Sequence, residues 1–177
     1  MVKIRTGEAN PDVDNLFIAS RLASTDSVVS ASWAYITAWN PASQLLDDSE
    51  NAARQDELRR EVAARVVSDE VAAYYEGEGV PDVGDWTPEA SLLIIGIDRG
   101  AASALGARFG QNAILVGDWG GRADLLLCEQ PSSAAERELA GLGPAATAGL
   151  AVDAAPTAAA TVSAGSVEHA GAALEAA

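Results

Sequence analysis

Several polar side chains that could bind a ligand follow the end of one apolar run. The segment TAWNP, residues 37–41, ends that run in Asn40, and a helix-like stretch opens soon after it with Glu50, Asn51 and Arg54. A guanidinium close to a helix N-terminus, where backbone N–H groups lack partners, is suited to a carboxylate or phosphate. The junction therefore predicts recognition of a small anion.

A structural role for the same side chains is the alternative. Arg54 could form an internal salt bridge with Glu50 or Glu89, and Asn40 could bond to its own turn, as asparagine commonly does. Neither interpretation is excluded by the residues themselves.

Two later segments carry the same ambiguity. In GDWTPEAS, Trp86 could cover a ligand or seal the core, and Glu89 supplies a carboxylate. In FGQNAI, Gln111 and Asn112 follow a glycine typical of helix ends, where amides often satisfy loose carbonyl groups. The same two amides could instead contact a ligand bound by Arg54.

The apolar periodicity predicts five strands and two helices around these segments. The order is strand, helix, strand, strand, helix, strand, with a fifth strand joined by a hairpin. The predicted strands are 28–39, 70–79, 89–97, 112–119 and 123–129, and the helices are 49–67 and 99–109.

This order predicts an α+β fold of the ferredoxin-like type, β-α-β-β-α-β, with an antiparallel sheet, two helices on one face and an extra C-terminal hairpin strand. The first strand is expected beside the third and the fourth. Asn51, Arg54, Leu58 and Val62 then lie along one stripe of the first helix. In this topology Asn40, the helix start, Glu89 and the 111–112 amides converge at one edge.

The chain divides into three parts by composition. Residues 1–27 are expected to be an irregular N-terminal segment, and residues 28–130 a single α/β sandwich domain. Residues 131–177 are rich in alanine and contain no aromatic residue, so we expect an acidic, mobile tail.

Composition excludes several classes of chemistry. The only histidine, His169, falls in the alanine-rich tail, and the only cysteine is Cys128, so histidine catalysis, a metal site and a disulfide are not expected. No glycine-rich phosphate loop is present, and no cofactor is predicted. A net charge of −15 with a single lysine, Lys3, resembles the proteins of salt-loving organisms. We expect a cytoplasmic protein that neither enters a membrane nor favours nucleic acid.

An aromatic stripe gives a weaker hypothesis. Trp33, Tyr35 and Trp39 alternate on one face of the first strand, which the helices are expected to leave open. Such a face could stack nucleic-acid bases, form a homodimer, or be covered by the N-terminal segment. The acidic charge favours the last two.

Four ordered motifs, YITAWNPAS, ENAARQDEL, WTPEASLLIIGI and LGARFGQNAILV, resemble the bacterial domain-of-unknown-function family 3293 over about residues 33–117. The resemblance implies no known activity. The positions that match its pattern are Thr37, Trp39, Asn40, Pro41, Ser43, Glu50, Asn51, Arg54, Trp86, Glu89, Ser91, Gly96, Phe109, Gly110, Gln111 and Asn112.

The sequence therefore favours a binding module for a small anionic or amide-bearing ligand. A carboxylate-dependent hydrolase or transferase, with Glu50 or Glu89 as general base and Arg54 as electrostatic stabiliser, is the alternative. The candidate ligand-binding residues are Asn40, Ser43, Glu50, Asn51, Arg54, Trp86, Glu89, Gln111 and Asn112.

Overall fold

The computed structural model describes residues 2–4, 6–23, 31–81, 87–128 and 158–162. The helices are α1 (Pro11–Ala23), α2 (Asp48–Val67) and α3 (Arg99–Arg108), and a short 3₁₀ turn covers Pro41–Ser43. The strands are β1 (Val2–Ile4), β2 (Ser32–Thr37), β3 (Ala73–Pro81), β4 (Glu89–Ile95), β5 (Ala113–Asp118), β6 (Asp124–Leu127) and β7 (Ala158–Val162).

All seven strands form one sheet in the order β1-β7-β3-β4-β2-β5-β6. Every neighbouring pair is antiparallel. The predicted α+β class is confirmed, and β2 lies between β4 and β5 as expected. The five strands predicted from the sequence correspond to β2 through β6. When they are numbered 1 to 5 in chain order, their order in the sheet is 2-3-1-4-5.

Helices α2 and α3 cover one face of the sheet. Ala34 and Ile36 of β2 point to this face and join Leu58, Val62 and Leu105 in one buried cluster. Alternation along β2 places small or aliphatic side chains under the helices, so that both helices pack closely on the central strands.

A glycine sets how closely α3 lies on β5 and the end of β6. A Cβ at Gly106 would lie 2.6 Å from the Cys128 sulfur and 2.8 Å from the Ile114 Cγ2 atom, so no larger residue fits without displacement. Asp98 accepts a hydrogen bond from the Ala101 N–H at the start of α3, and Gly110, with φ of 75°, ends it. These contacts fix where the following loop begins.

The opposite face carries the aromatic side chains, and it is not open. Trp33 is 1% exposed and Tyr35 is also buried, in a cluster with Ile4 and Val13 from β1 and α1. Of the three alternatives drawn from the sequence, cover by the N-terminal segment is therefore the one present over Trp33 and Tyr35. Trp39 lies outside this cluster, and base stacking or a homodimer through the three aromatic side chains stays a prediction.

The N-terminal segment, expected to be irregular, contains β1 and α1. It contacts both ends of the sheet: β1 pairs with β7, and the backbone of Gly7 and Glu8 bonds to Ala123 just before β6. The alanine-rich region contributes β7, which the sequence analysis did not anticipate, between β1 and β3. Residues 131–157 and 163–177, for which we expect mobility, lie outside the described residues.

Candidate ligand-binding site

The loop that leaves β2 has an unusual backbone. Asn40, Ala42 and Ser43 have φ of 45°, 53° and 59°, a left-handed conformation that residues other than glycine seldom adopt. Asparagine tolerates it, whereas alanine and serine are strained by about 1 kcal/mol or more each. Contacts around the loop must compensate for that strain.

Asn40 and Asn51 bind each other through backbone and side chain. The Asn40 N–H donates to Asn51 Oδ1 at 2.9 Å, and Asn51 Nδ2 donates to Asn40 Oδ1 at 3.1 Å. Asn40 Oδ1 also accepts from the Leu46 N–H, and Asn40 Nδ2 donates to Glu89 Oε1 at 2.7 Å. Asn40 therefore connects the end of β2 with the starts of α2 and β4. As a structural role for Asn40, the sequence analysis had considered only a hydrogen bond to its own turn.

The buried stripe of α2 differs from the predicted one by one position. Its buried residues are Asn51, Gln55, Leu58 and Val62. Gln55, which the sequence analysis missed, is 3% exposed, and its Oε1 accepts from the Ala38 N–H at 3.0 Å. The spacing of four residues from Asn51 and three to Leu58 is the signal that could have identified it.

Arg54 lies beside this stripe and binds backbone carbonyls. Its Nε donates to Ala38 O at 3.0 Å and its Nη2 donates to Phe109 O at 2.7 Å. Neither Glu50 nor Glu89 forms an ion pair with it in the part of the chain that is described, so the internal salt bridge considered from the sequence is wrong. Arg54 instead links the ends of β2 and α3.

The charge on Arg54 is partly removed from water. Burial lowers the pKa of the Arg54 guanidinium from its usual value, and the nearby carboxylate of Glu57 opposes that shift. Desolvation disfavours the cation, and carbonyl oxygens carry only partial charges with which to compensate it. The position would be stabilised further by a full negative charge.

The loop after α3 completes the arrangement. Gln111 Nε2 donates to Trp39 O at 2.9 Å, and the Ala42 N–H donates to Gly110 O at 2.7 Å. At the exposed side, Asn112 Nδ2 donates to Ser43 Oγ at 3.2 Å. The predicted convergence of four separate segments at one edge is therefore present in the fold.

Two sets of residues share this edge. We call the interlocked, mostly buried or half-buried set the edge network, and the exposed set the rim. The edge network is Asn40, Asn51, Arg54, Gln55, Glu89 and Gln111, and the rim is Ser43, Asp47, Glu50 and Asn112.

The start of α2 offers little to an anion. The Asp47 carboxylate caps the helix by accepting from the Glu50 N–H at 2.9 Å, and the Asn51 N–H donates to Asp47 O. Asp47, Asp48 and Glu50 place three acids at this end. The Glu50 carboxylate forms no hydrogen bond or ion pair with an edge-network residue among those described. Asp47 thus occupies two of the helix N–H groups that were expected from the sequence to help bind an anion.

The structure describes Trp39 but not Trp86. Trp86 lies outside the described residues, so the predicted lid or core role has no structural account. Trp39 is partly buried, and its Nε1 is enclosed without a hydrogen-bond partner in the described part of the chain. Trp39 therefore carries one unused donor among the described residues, while its backbone carbonyl accepts from Gln111.

Other chemistry has little support in the described residues. No group of three or more histidine, cysteine or acidic side chains is placed there to bind a metal ion. Burial raises the pKa of the Cys128 thiol to about 11, which keeps it protonated at neutral pH and unsuited to nucleophilic attack. None of the three described helices is both long and apolar enough to cross a bilayer.

Comparison with known proteins adds one relationship. Residues 36–114 match the model of the family described as Protein of unknown function (DUF3293). Over these residues, which are less than half of the chain, the sequence is similar to that family. The match confirms the resemblance inferred from the sequence, and its range contains every member of the edge network and the rim. Comparisons with curated proteins and with solved structures found no significant match.

Proposed function

We propose that the chain is a binding module whose edge network holds a small anionic ligand, a carboxylate or a phosphate, with Arg54 as its anchor. One observation carries the proposal: Arg54 is a half-buried cation that binds two backbone carbonyls and has no carboxylate partner among the described residues. An anion would supply the missing charge, and charge-assisted bonds to a guanidinium are among the stronger hydrogen bonds in proteins.

Four other arginines of the described chain form ion pairs with acids, whereas Arg60 and Arg122, both exposed, form none there. Arg59 pairs with Asp56 and Glu76, and Arg65 with Glu61 and Glu70. The further pairs are Arg99 with Asp118 and Asp124, and Arg108 with Glu61. Arg54 is half-buried, and among the described acids only Glu57 acts on its charge, without forming an ion pair with it. We infer that the guanidinium is reserved for an external partner.

The direction of approach follows from the charges around the site. Acids occupy the start of α2, so that side repels an anion. The hydroxyl of Ser43 and the amide of Asn112 are neutral and exposed on the joined loops. We therefore place the ligand beside the Ser43 and Asn112 pair, with an oxygen reaching Arg54.

The strained loop supports the same assignment. Left-handed backbone at Ala42 and Ser43 costs stability that a glycine would avoid, and such strain is concentrated at binding and active sites. A rigid loop fixes the Ser43 hydroxyl before the ligand arrives, which lowers the ordering cost of binding.

The carboxylate-dependent enzyme is the second candidate, and Glu89 is its only support. Glu89 shares the edge network through the amide of Asn40, which would orient a general base. A hydrolase of this kind needs a second acid on the ligand, and Glu50 makes no contact with the network. Binding without chemistry is therefore the better proposal.

Two further expectations belong with this proposal. The strand order and the packing of α2 and α3 on one face support a ferredoxin-like core extended by β6. A buried, unpaired cysteine and the acidic composition fit a cytoplasmic protein exposed to high salt.

Native mass spectrometry of the purified protein tests the proposal. Wild type is expected to retain a small anionic molecule that Arg54→Gln loses. Arg60→Gln is the matched control, because Arg60 is exposed and bonds only to the Asp56 carbonyl one turn before it. Retention of the same molecule by Arg54→Gln, or its loss from both variants, would count against the assignment.

A further inference from the structure

The outer edge of β6 is free over part of its length. Ala123, just before the strand, already bonds outward: its N–H donates to Glu8 O, and its carbonyl accepts from the Gly7 N–H. Outward-facing residues alternate along a strand, and therefore Leu125 and Leu127 present their backbone groups to the same side. In the described chain those outward groups have no partner.

The side chains of this edge are apolar and exposed. Leu125 is 56% exposed and Leu127 is 71% exposed, whereas Leu126 packs against the helix-face core. Exposed strand edges are usually protected by charges, prolines or bulges. The single charged residue of β6 is Asp124, and it is paired with Arg99 at 3.0 Å. Nothing on the strand therefore opposes pairing with another strand.

We propose that β6 is an interface between two copies of this chain, paired antiparallel about a two-fold axis. With pairing centred on Leu126, Leu125 of one copy lies opposite Leu127 of the other, so the segment is complementary to itself. Each outward N–H and carbonyl then gains a ladder partner, and the exposed leucines pack across the axis.

Charge favours a second copy at this edge over contact elsewhere. The chain carries −15, so most surfaces of two copies repel each other. Near β6, Arg99 forms ion pairs with both Asp124 and Asp118, which reduces the negative charge at this edge. Screening of the remaining acids in molar salt should strengthen the association without changing where it occurs.

Sedimentation of the full chain tests this proposal in low and in molar salt. Wild type is expected to dimerise reversibly with concentration, more tightly in molar salt. Leu125→Lys with Leu127→Lys should weaken the dimer at least tenfold and retain cooperative unfolding. Val67→Lys is the control, since Val67 is 72% exposed at the C-terminal end of α2, and this variant should associate as wild type does.

Three results would overturn the inference. One is a wild-type chain that stays monomeric at every concentration and salt level, including the case in which β6 binds a different protein. The second is a dimer that the double lysine variant leaves unchanged. If that variant fails to fold, amide hydrogen exchange of wild type decides: the amides of Leu125 and Leu127 should become protected as the dimer forms. The third result is hydrogen exchange at these two amides that does not change when the dimer forms.

Discussion

The edge network and the rim come from the same short stretches of sequence, yet their side chains behave in opposite ways. Asn51 and Gln55 are almost fully buried, and their side-chain oxygens accept hydrogen bonds from backbone N–H groups that follow β2. The side chains of Ser43 and Asn112 are exposed and share one hydrogen bond of 3.2 Å. Polar residues that converge at one place are thus divided between a scaffold and a surface that can meet a ligand.

Arg54, a member of the edge network, has features of both sets. Its Nε and Nη2 atoms bond to scaffold carbonyls, while its charge forms no ion pair among the described residues. The comparison teaches that one residue can serve both purposes, so stability and binding must be measured separately.

The largest effect is expected for Asn51→Ala. The change leaves the Asn40 N–H without its acceptor and the Leu46 carbonyl without its donor, in a site that is 1% exposed. We expect a loss of about 2–4 kcal/mol of unfolding free energy, measured by urea denaturation. Asn112→Ala, on the rim, should change the same quantity by less than about 0.5 kcal/mol. Equal losses in both variants would remove the distinction between network and rim.

A smaller loss is expected for Arg54→Ala. Two hydrogen bonds to the carbonyls of Ala38 and Phe109 disappear, but the site is partly open to water, which can replace them. We expect about 1–3 kcal/mol of destabilisation in the same assay. Arg54→Lys should fall between this variant and wild type, because an ammonium cannot span both carbonyls as a guanidinium does. A stabilised Arg54→Ala would mean that the arginine serves binding alone.

The smallest effect concerns pH at the rim. Hydrogen bonds from the Glu50 N–H and the Ser49 hydroxyl lower the pKa of Asp47 below its usual value. Its contribution to stability is therefore complete above the pKa of the unfolded chain and is lost as pH falls through the lower, folded pKa. Thermal unfolding from neutral to acid pH should show a slightly shallower decline for Asp47→Asn, which can cap without titrating. Parallel curves for the two proteins would exclude this role.

The sequence allowed the fold class and the meeting of four segments to be predicted, because both follow from apolar periodicity and strand order. It did not reveal the partners of Arg54, since these are backbone carbonyls of Ala38 and Phe109 and leave no trace in residue types. Gln55 was missed because glutamine on a helix is usually solvated. β7 was missed because alanine has a low preference for strands.

The covering of the aromatic face was harder to predict for another reason. Trp33 and Tyr35 are buried by Ile4 and Val13, residues distant in sequence from the central strands. The aromatic face could have been covered by the N-terminal segment, by a second copy or by nucleic-acid bases. Which of these occurs depends on long-range packing that composition does not encode.

The most direct test of the anion site follows the Arg54 Nε–Hε signal by nuclear magnetic resonance while inorganic phosphate, and separately acetate, is added at constant ionic strength. The signal is assigned by its absence from Arg54→Lys. We predict a saturable shift of Arg54 with at least one of the two anions, accompanied by the side-chain amide of Asn112, while Arg99 in its ion pairs stays unmoved. An Arg54 signal that stays fixed with both anions, or that drifts without saturation together with Arg99, would contradict the account.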